Sequence, residues 1–277
     1  MINPHARLPL SPLAMLRSLW ANRVLIGRLA RRDIVARYRG SFGGLLWAVV
    51  TPLVMLAVYT FVFSVIFNAR WGTGAEQDKA QFAVVLFAGL LVHGLLSEVL
   101  NAAPGMVGAH ANYVKKVVFP LEVLPVIQWC VSMFQCLIGV AVLLAAGWVL
   151  NGTLPATAPL IVLVLLPLSL ITLGLAWFLA SLGVYVRDVG QVTQVFTSIL
   201  LFVSPVFFPV SAIPEEFREP IRFNPLTFLI EQAREVLVWG QWPDVPGLLA
   251  YTAGALVVAW LGYAWFQATR KGFADVL

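Results

Sequence analysis

The segment LWANRVLIGRLARRDIVARYRGSFGGLLW, from Leu19 to Trp47, joins a basic helical pattern directly to a long uncharged stretch. At about 100° per residue, arginines fall within roughly a third of the helix circumference and apolar side chains fall on the other side. The basic face holds Arg28, Arg31, Arg32 and Arg39, and the apolar face holds Leu25, Ile26, Leu29 and Ala36. Arg37 lies on a less basic flank, within reach of Asp33 four residues earlier. The pattern predicts an amphipathic helix that lies along a membrane surface.

The composition of the chain is that of an integral membrane protein. Hydrophobic residues make up 60% of the 277 residues and charged residues 11%, whereas charged residues are about a quarter of a typical soluble protein. A helix of about 20 apolar residues crosses a bilayer. Uncharged runs of about this length or more cover residues 40–69, 80–97, 123–186, 189–214 and 245–269.

The longest uncharged run, 123–186, is long enough for two spans. The sequence NGTLPATAP at 151–159 interrupts its apolar pattern with a glycine and two prolines, and therefore predicts a turn. We predict six spans, at residues 45–67, 82–101, 120–150, 158–186, 190–212 and 246–268. The positive-inside rule places both termini in the cytoplasm, because this orientation puts most lysines and arginines on the cytoplasmic side.

The external region 205–245 overlaps the outer end of span five. It begins with PVFFPVSAIPEEFREPIRFNPLTF at 205–228, which combines prolines and charges with apolar residues. Pro205 and Pro209 are expected to end span five, because proline interrupts a helix. A helix should follow, whose apolar stripe comprises Leu226, Leu229, Ile230, Ala233 and Leu237. Irregular backbone at membrane depth must be shielded by protein or line a cavity, so the pattern predicts short re-entrant helices in the outer leaflet. A structure that only caps and packs the spans is the alternative.

These features predict a single all-α integral membrane domain over residues 1–277. It comprises a cytoplasmic N-terminal segment with the amphipathic interface helix (1–44), spans one to five (45–212), an external re-entrant region (213–245), and span six with a cytoplasmic tail (246–277). Cys130 and Cys136 lie six residues apart within span three, which is poor geometry for a disulfide and offers no metal-ligand spacing.

The sequence lacks the common catalytic motifs. It has no GxxxxGKS/T phosphate loop, no HExxH motif, no CxxC pair and no GxSxG nucleophile elbow. We therefore expect a protein that is not an enzyme, and any ATP that it uses must be bound by another protein. Within span two, His93 and Glu98 are five positions apart and lie on different faces. We interpret them as a hydrogen-bonded histidine and an interfacial glutamate, with a gating or coupling contact for Glu98 as the alternative.

The segment between spans two and three is NAAPGMVGAHANYVKKVVFP, residues 101–120. Pro104 and Gly105 are expected to end the span, and a short helix can lead from there to Lys115 and Lys116. The segment has the shape of a docking element on the cytoplasmic side. An ordinary positive-inside loop is the alternative.

Four strings, in their order and spacing, resemble the membrane subunits of type-2 ABC exporters, particularly the permeases for O-antigen, capsular polysaccharide and teichoic acid. They are RRDIVARYRGSFGGLLWAVVTPL (31–53), YVKKVVFPLEVLP (113–125), YVRDVGQ (185–191) and FNPLTFLIEQAREVL (223–237). The resemblance covers nearly the whole chain, although none of these strings is a catalytic motif.

The resemblance implies ATP-driven export of a polysaccharide, linked to polyprenyl diphosphate, from the cytoplasm across a bacterial inner membrane. Because six spans are half of what such an exporter needs, it also implies a homodimer that works with two copies of a cytoplasmic ATP-binding ABC subunit. ATP and Mg²⁺ would be held by that subunit, so this chain would bind no cofactor, and nucleic acid would not be a partner. The interface-helix residues would be Arg28, Arg31, Arg32, Arg37 and Arg39. Those near the inner surface, such as Arg37 and Arg39, would meet lipid headgroups or the diphosphate of the carrier.

The same resemblance assigns roles to residues of this chain. The interface helix would lie near the ATPase. The coupling contacts would be Asn112, Tyr113, Lys115 and Lys116, with Arg187 and Asp188 as a smaller second contact. The external gate region would include Pro209, Pro214, Asn224 and Pro225. Aromatic faces stack on sugar rings, so the substrate channel would include Tyr59, Phe63, Phe67, Phe196 and Phe202, with packing against lipid or other helices as the alternative.

Two other functions stay open. A type-2 ABC permease for a drug or an ordinary lipid would share this architecture. An ion-coupled secondary transporter would need ionisable groups in the middle of the membrane, for which the sequence offers His93 and Glu98. The identity of the polysaccharide does not follow from the sequence.

Overall fold

Long apolar helices make up most of the chain. The structure is a computed structural model that describes residues 10–40, 43–66, 79–111 and 119–277, and no β-strand occurs in these ranges. Five helices among the described residues are long and apolar enough to cross a membrane. They are Gly44–Val62, Gln81–Ala109, Val123–Leu150, Ala158–Tyr185 and Val245–Val276, and Val189–Val203 is a shorter apolar helix.

We number the helices in chain order. They are α1 (Pro12–Ala21), α2 (Arg23–Tyr38), α3 (Trp47–Tyr59), α4 (Lys79–Ala109), α5 (Val123–Asn151), α6 (Ile161–Tyr185), α7 (Val189–Val203), α8 (Glu215–Arg222), α9 (Thr227–Arg234), α10 (Val245–Thr269) and α11 (Phe273–Val276). A π-helical segment, Thr60–Ile66, follows α3, and another, Glu235–Trp239, follows α9. Short 3-10 turns precede α3 and α6, and a further turn, Arg270–Gly272, joins α10 to α11.

Helix α4 lies at the centre of the bundle, where it packs against α5, α6, α7 and α9. Its fully buried residues include Val85, Leu86, Ala88, Val99, Ala103 and Val107. The predicted helix break at Pro104 is wrong, since α4 continues through it to Ala109. A proline removes one backbone donor, and in a membrane bundle neighbouring helices and local adjustments can compensate for that loss. Helix α6 approaches closely here, because a Cβ at Gly183 would lie 2.3 Å from the Pro104 carbonyl oxygen.

Helices α6 and α10 form the most extensive helix pair among the described residues. Their backbones meet at two glycines. A Cβ at Gly262 would lie 1.9 Å from the carbonyl oxygen of Gly174, and a Cβ at Gly174 would lie 2.5 Å from that of Val258. Both distances are well inside van der Waals contact, so a larger side chain at either position cannot enter this packing.

The predicted turn between spans three and four is confirmed. Helix α5 ends at Asn151, and Gly152 follows with φ +68°, a left-handed conformation that glycine adopts without steric cost. The predicted apolar stripe at 226–237 is also confirmed, because all five of its residues are buried. They are Leu226, Leu229, Ile230, Ala233 and Leu237.

Helix α7 is shorter than the predicted span 190–212, because it ends at Val203. Ser204 takes an extended conformation, as expected for a residue that precedes proline. The break at Pro205 is therefore confirmed, and residues 204–212 of the predicted span lie beyond the end of α7. Fifteen residues span about 22 Å, which is less than the roughly 30 Å hydrocarbon core of a bilayer.

Several chain segments meet at one end of the bundle, which we call the N-terminal end. Ser18 of α1, Glu122 before α5 and Arg270 after α10 are in direct contact there. Tyr185, the last residue of α6, donates a hydrogen bond to the Thr269 carbonyl at the same end, at 2.7 Å. At the opposite end, Thr157 before α6 donates to the Val236 carbonyl at 2.8 Å. Cys130 and Cys136 are free thiols, as the sequence predicts.

Candidate transport and coupling sites

Helix α2 attaches to the bundle through its apolar face. Ile26 and Ala30 are buried and α2 packs along α5, whereas Arg28, Arg31, Arg32 and Arg39 line a surface groove of about 350 Å³. Ala36 was expected on the apolar face, but it is exposed and lines the basic groove. At about 100° per residue, it lies about 100° from the centre of the face that Ile26 and Ala30 define.

Arg37 is separated from the other predicted interface arginines. It forms an ion pair with Glu98 of α4, because it lies about 180° from Arg28 on the side of α2 that faces the bundle. The suggested Asp33–Arg37 pair is therefore wrong, and Asp33 instead pairs with Arg32 at 2.8 Å. The next residue, Tyr38, donates to the Gln135 side chain of α5. Together these contacts fasten the end of α2 to α4 and α5.

His93 has the structural role that the sequence favoured. It is buried in α4, and its Nε2 atom lies 2.9 Å from the carbonyl oxygen of Thr197 in α7. Glu98 forms an ion pair with Arg37. These two residues make separate polar contacts, although both line one cavity of about 370 Å³ between α3, α4 and α5.

Glu122 lies at the centre of a buried junction at the N-terminal end. Its Oε2 atom accepts from Arg270 Nη1 at 2.7 Å, and its Oε1 atom accepts from the Ser18 hydroxyl at 2.8 Å. Its backbone carbonyl accepts from the Trp177 indole of α6 at 2.9 Å. Arg270 Nη2 also donates to the Phe119 carbonyl at 2.6 Å. The junction therefore joins α1, the start of α5, the middle of α6 and the end of α10.

The predicted coupling contacts are only partly covered by the structure. Asn112, Tyr113, Lys115 and Lys116 lie outside the described residues. Arg187 and Asp188 are both exposed in the short connection between α6 and α7, which leaves them available to a partner protein. The roles of all these residues stay predictions.

Tyr59 lines a cavity of about 370 Å³ between α3, α4 and α5. Polar residues at this cavity include Glu98 and Gln135, so its surface is not uniformly apolar. The side chain of Phe63 and the whole of Phe67 lie outside the described part of the chain. Of the three predicted aromatic residues of span one, Tyr59 is therefore the one whose side chain the structure describes.

Helix α7 presents three different faces. Thr193, Thr197 and Leu200 are buried against the bundle. Phe202 is 68% exposed and lies on one stripe with the exposed side chains of Gln191, Gln194 and Ser198. Phe196, 50% exposed, lies on a separate apolar stripe with Val192, Ile199 and Val203. The two predicted channel aromatics of this helix therefore face in different directions.

The exposed glutamines of α7 were missed as candidate channel residues in the sequence. A polar side chain in a membrane span is costly against lipid, and such groups usually face a water-filled cavity or another protein. Ser198 satisfies its hydroxyl by donating to the Gln194 backbone carbonyl at 2.8 Å. The signal that could have found this stripe is the spacing of Gln191, Gln194 and Ser198 at helical intervals.

Asn224 links the two ends of the proline-rich region. Its Nδ2 atom donates to Ser204 Oγ at 2.9 Å, and its Oδ1 atom accepts from the Leu226 backbone amide at 2.9 Å. The neighbouring Pro225 carbonyl accepts a hydrogen bond from Tyr251 of α10. Pro214 precedes α8 in an extended conformation, and Pro209 lines a cavity of about 350 Å³ with Arg234 and Glu235. Asn224 and Pro225 are therefore connected to the bundle by hydrogen bonds. Pro209 and Pro214 lie apart from these contacts.

Arg234 fastens α9 to the central helix. It is 3% exposed, and it donates from Nε to the Val85 carbonyl at 3.0 Å and from Nη2 to the Val206 carbonyl at 2.9 Å. Gly89 leaves the room for it, because a Cβ there would lie 3.0 Å from Nη2. An arginine side chain stays positively charged in proteins, so these backbone carbonyls hold a buried cation.

Three residues with several polar contacts in the part of the chain that the structure describes, Glu122, Arg270 and Arg234, were not among the predicted site residues. A signal for them exists, since Glu122 and Arg234 interrupt apolar patterns and a buried charge requires partners. Their partners are distant in sequence, since Glu122 and Arg270 are 148 positions apart.

The central α4, the long apolar helices around it and the basic N-terminal helix define a multi-pass membrane protein. Within the described ranges, no group of three or more His, Cys, Asp or Glu residues is arranged to hold a metal. Residues 24–238 match the ABC-2 type transporter family, and the chain belongs to that family. It is a transmembrane subunit that has no ATPase domain, binds no cofactor itself and works with an ATP-binding subunit.

Known relatives of this chain are polysaccharide export proteins. The O-antigen export system permease protein RfbA of Myxococcus xanthus is 27% identical over 95% of this chain and 99% of its own length. The polysialic acid transport protein KpsM of Escherichia coli is 24% identical over 90% of this chain and 94% of its own length. The capsule polysaccharide export inner-membrane protein CtrC of Neisseria meningitidis serogroup B is 23% identical, over 78% of this chain and 80% of its own length.

Proposed function

We propose that this chain is the permease of an ATP-driven exporter that moves a polysaccharide, linked to polyprenyl diphosphate, across the bacterial inner membrane. The observation that supports this most strongly is the similarity to RfbA of Myxococcus xanthus along almost the full length of both chains. Export of a drug or an ordinary lipid is the second candidate, because ABC-2 architecture by itself does not define the cargo.

We propose six spans, with α7 and the proline-rich segment after it as the fifth. The N-terminal end would face the cytoplasm, as the positive-inside rule predicts. The length of helix α5 supports a position for α2 at the membrane interface. The 29 residues of α5 extend about 43 Å, which exceeds the hydrocarbon thickness by about 13 Å. Helix α2 packs along α5 and its end contacts Gln135, so α2 can lie at the membrane interface.

The basic groove of α2 would contact anionic headgroups or the carrier diphosphate through Arg28, Arg31, Arg32 and Arg39. Arg37 would act differently, by holding α2 to α4 through Glu98. At the external side, residues 213–245 would form the re-entrant gate region within the single domain 1–277. The hydrogen bonds of Asn224 support this role, because they tie the break after α7 to the start of α9.

The exposed faces of α3 and α7 support a homodimer with a channel between its subunits. The most apolar part of span one is 17% buried, which is close to the 22% of α10 and the 28% of α5 and far below the 72% of α4. Much of the surface of span one is therefore available to lipid or to a second subunit. The stripe of Gln191, Gln194, Ser198 and Phe202 combines hydrogen-bonding groups with an aromatic ring, which suits a hydrated glycan. A two-fold pair of these chains would then recruit two ATP-binding subunits.

Cysteine accessibility tests this channel. In a variant whose Cys130 and Cys136 are replaced by alanine, Gln194→Cys and Ser198→Cys are expected to react with a membrane-impermeant thiol reagent. Thr193→Cys provides a buried control and Ile199→Cys provides a control on the exposed apolar stripe, and both should stay unreactive. Equal reactivity at all four positions, or none at Gln194 in any nucleotide state, would contradict a channel along this stripe.

Charge reversal at Lys115 and Lys116 tests the predicted coupling contact. The Lys115→Glu, Lys116→Glu variant is expected to assemble with the ATPase but to lose most of its export per ATP hydrolysed. The reversed charges weaken the contact between this loop and the ATPase, so that movement of the ATPase is no longer passed to the loop. The measurement compares ATP hydrolysis and export in proteoliposomes. Unchanged export by the double variant would rule out a coupling role for the two lysines.

Transport by the reconstituted complex tests the function itself. The chain and its ATP-binding subunit, purified together, should move lipid-linked polysaccharide across proteoliposome membranes when ATP is present. Transport should fail when ATP is omitted and an ion gradient is supplied, which separates this function from ion-coupled transport. Movement of drugs or ordinary lipids without movement of lipid-linked polysaccharide would favour the second candidate.

A further inference from the structure

The end of α10 contacts the flanks of both predicted coupling elements. Phe119 and Glu122 follow directly after residues 112–118, and both accept hydrogen bonds from Arg270. Tyr185 lies two residues before Arg187, and its hydroxyl donates to the Thr269 carbonyl at 2.7 Å. Thr269 and Arg270 are adjacent, so one turn of backbone receives contacts from two loops that are distant in sequence.

The contact between Arg270 and Glu122 has the geometry of a rigid connection. The Glu122 side chain is 6% exposed and that of Arg270 is 21% exposed, so both charged groups are hydrated much less than on an open surface. The planar guanidinium uses one nitrogen for the Glu122 carboxylate and the other for the Phe119 carbonyl, which fixes its orientation as well as its position. A movement of the segment after residue 118 must therefore move Arg270 or break a buried ion pair.

The connection to α6 is similarly tight. The Ser181 hydroxyl lies 2.6 Å from that of Thr269, and a Cβ at Gly272 would lie 2.5 Å from the Tyr185 hydroxyl. Phe273 is fully buried between Tyr185 and Phe266, with ring centroids 5.9 Å and 5.4 Å away. The end of α6 and the turn after α10 therefore form one packed unit.

We propose that Glu122 and Arg270 are positioning residues that transmit movement of the coupling loop to α10 and, through Thr269, to the end of α6. This inference rests on the proposed role of residues 112–116 in contacting the ATPase. It adds that the two cytoplasmic loops act together, because both are joined to the last turn of α10. Neither residue would touch the cargo.

Paired substitutions separate transmission from stability. Arg270→Gln leaves the buried Glu122 carboxylate without its cationic partner and should lower thermal stability, whereas Glu122→Gln with Arg270→Gln removes both charges and should restore much of it. The assay uses the full complex with its ATP-binding subunit, carrying Gln194→Cys in the cysteine-free background. It measures how much ATP binding changes the rate of thiol modification, together with ATP hydrolysis and export.

If the pair transmits movement, the double variant regains stability and hydrolyses ATP. The effect of ATP binding on the rate of Gln194→Cys modification, however, should be smaller than in the parent by about fivefold or more. Lys271→Gln, which removes the neighbouring exposed charge, should leave that effect intact. A double variant with the wild-type nucleotide response overturns the inference, because only a structural role would then remain. If the double variant does not assemble, Arg270→Lys is tested instead. Lysine keeps the positive charge but lacks the two guanidinium nitrogens that bind Glu122 and Phe119 together. A reduced response to ATP supports the inference, and a wild-type response overturns it.

The reactivity measurement does not depend on the cargo. If the unsubstituted complex responds to ATP but exports no polysaccharide, the proposed cargo is wrong while loss of the response in the double variant still supports transmission through Glu122 and Arg270. If the complex exports polysaccharide and the double variant exports as much per ATP as the parent, the export function stands and the inference fails.

Discussion

Gly262→Ala is expected to destabilise the folded protein by about 3 kcal/mol, because it places a methyl group where two helix backbones touch. The added Cβ would lie 1.9 Å from the Gly174 carbonyl oxygen, and a backbone atom cannot rotate out of the way as a flexible side chain can. Helices α6 and α10 must then separate along their most extensive contact. Thermal unfolding of the purified protein in detergent, followed by size-exclusion chromatography, measures the loss.

Gly254→Ala is the matched control, because Gly254 lies in the same helix and a Cβ there meets no atom within 4 Å. Alanine is favoured over glycine in a helix by about 1 kcal/mol, so this variant should be as stable as the parent or slightly more stable. Equal losses in the two variants would show that glycine is needed for another reason, and that the close packing of α6 and α10 is not the cause.

Arg234→Ala is expected to destabilise the protein by about 3–5 kcal/mol and to loosen the region after α7. The change removes buried hydrogen bonds from a charged donor to the Val85 and Val206 carbonyls, and leaves these acceptors with a cavity in place of the guanidinium. Because these bonds hold α9 and the Pro205 turn to α4, a cysteine at the buried position Ile213 should react faster with a thiol reagent in this variant. Unfolding in detergent and thiol kinetics measure the two effects.

Arg218→Ala is a matched control of the same residue type in the same region. Arg218 also donates to two backbone carbonyls, those of Ile213 and Ser211, at 2.8 and 3.1 Å. Its side chain is 35% exposed, so water can replace these bonds and the expected loss is less than about 1 kcal/mol. A larger loss at Arg218 than at Arg234 would contradict the assignment of Arg234 as the principal anchor of α9.

The sequence predicted local features of the fold well. The turn at Gly152, the break at Pro205 and the buried stripe 226–237 all follow from glycine, proline and apolar spacing within a few residues. Pro104 was wrong because the same residue type has a different outcome in a packed helix, where the surrounding bundle compensates for the missing donor. The predicted span 190–212 extends beyond α7, because hydropathy continues past Pro205 although the helix ends at Val203.

The candidate sites were predicted less completely, because residue type indicates a chemical capacity but not a direction. Phe196 and Phe202 were grouped as channel residues, and they lie on different stripes of α7, where the adjacent glutamines carry the polar character. Arg37 was grouped with the other arginines of α2, and it faces the opposite side to reach Glu98. Rotation about a helix axis decided both outcomes, and it depends on which face the bundle buries.

The sequence by itself determined that this chain is a multi-pass membrane protein with a basic N-terminal helix, since hydropathy, charge and proline position are properties of short segments. The tertiary structure alone decided which charges are paired. Arg234 meets Val85 across 149 positions and Arg270 meets Glu122 across 148, and no local pattern encodes contacts at such separations. The physical reason is that a buried charge must find a partner wherever the packed helices bring one, and helix packing is a property of the whole bundle.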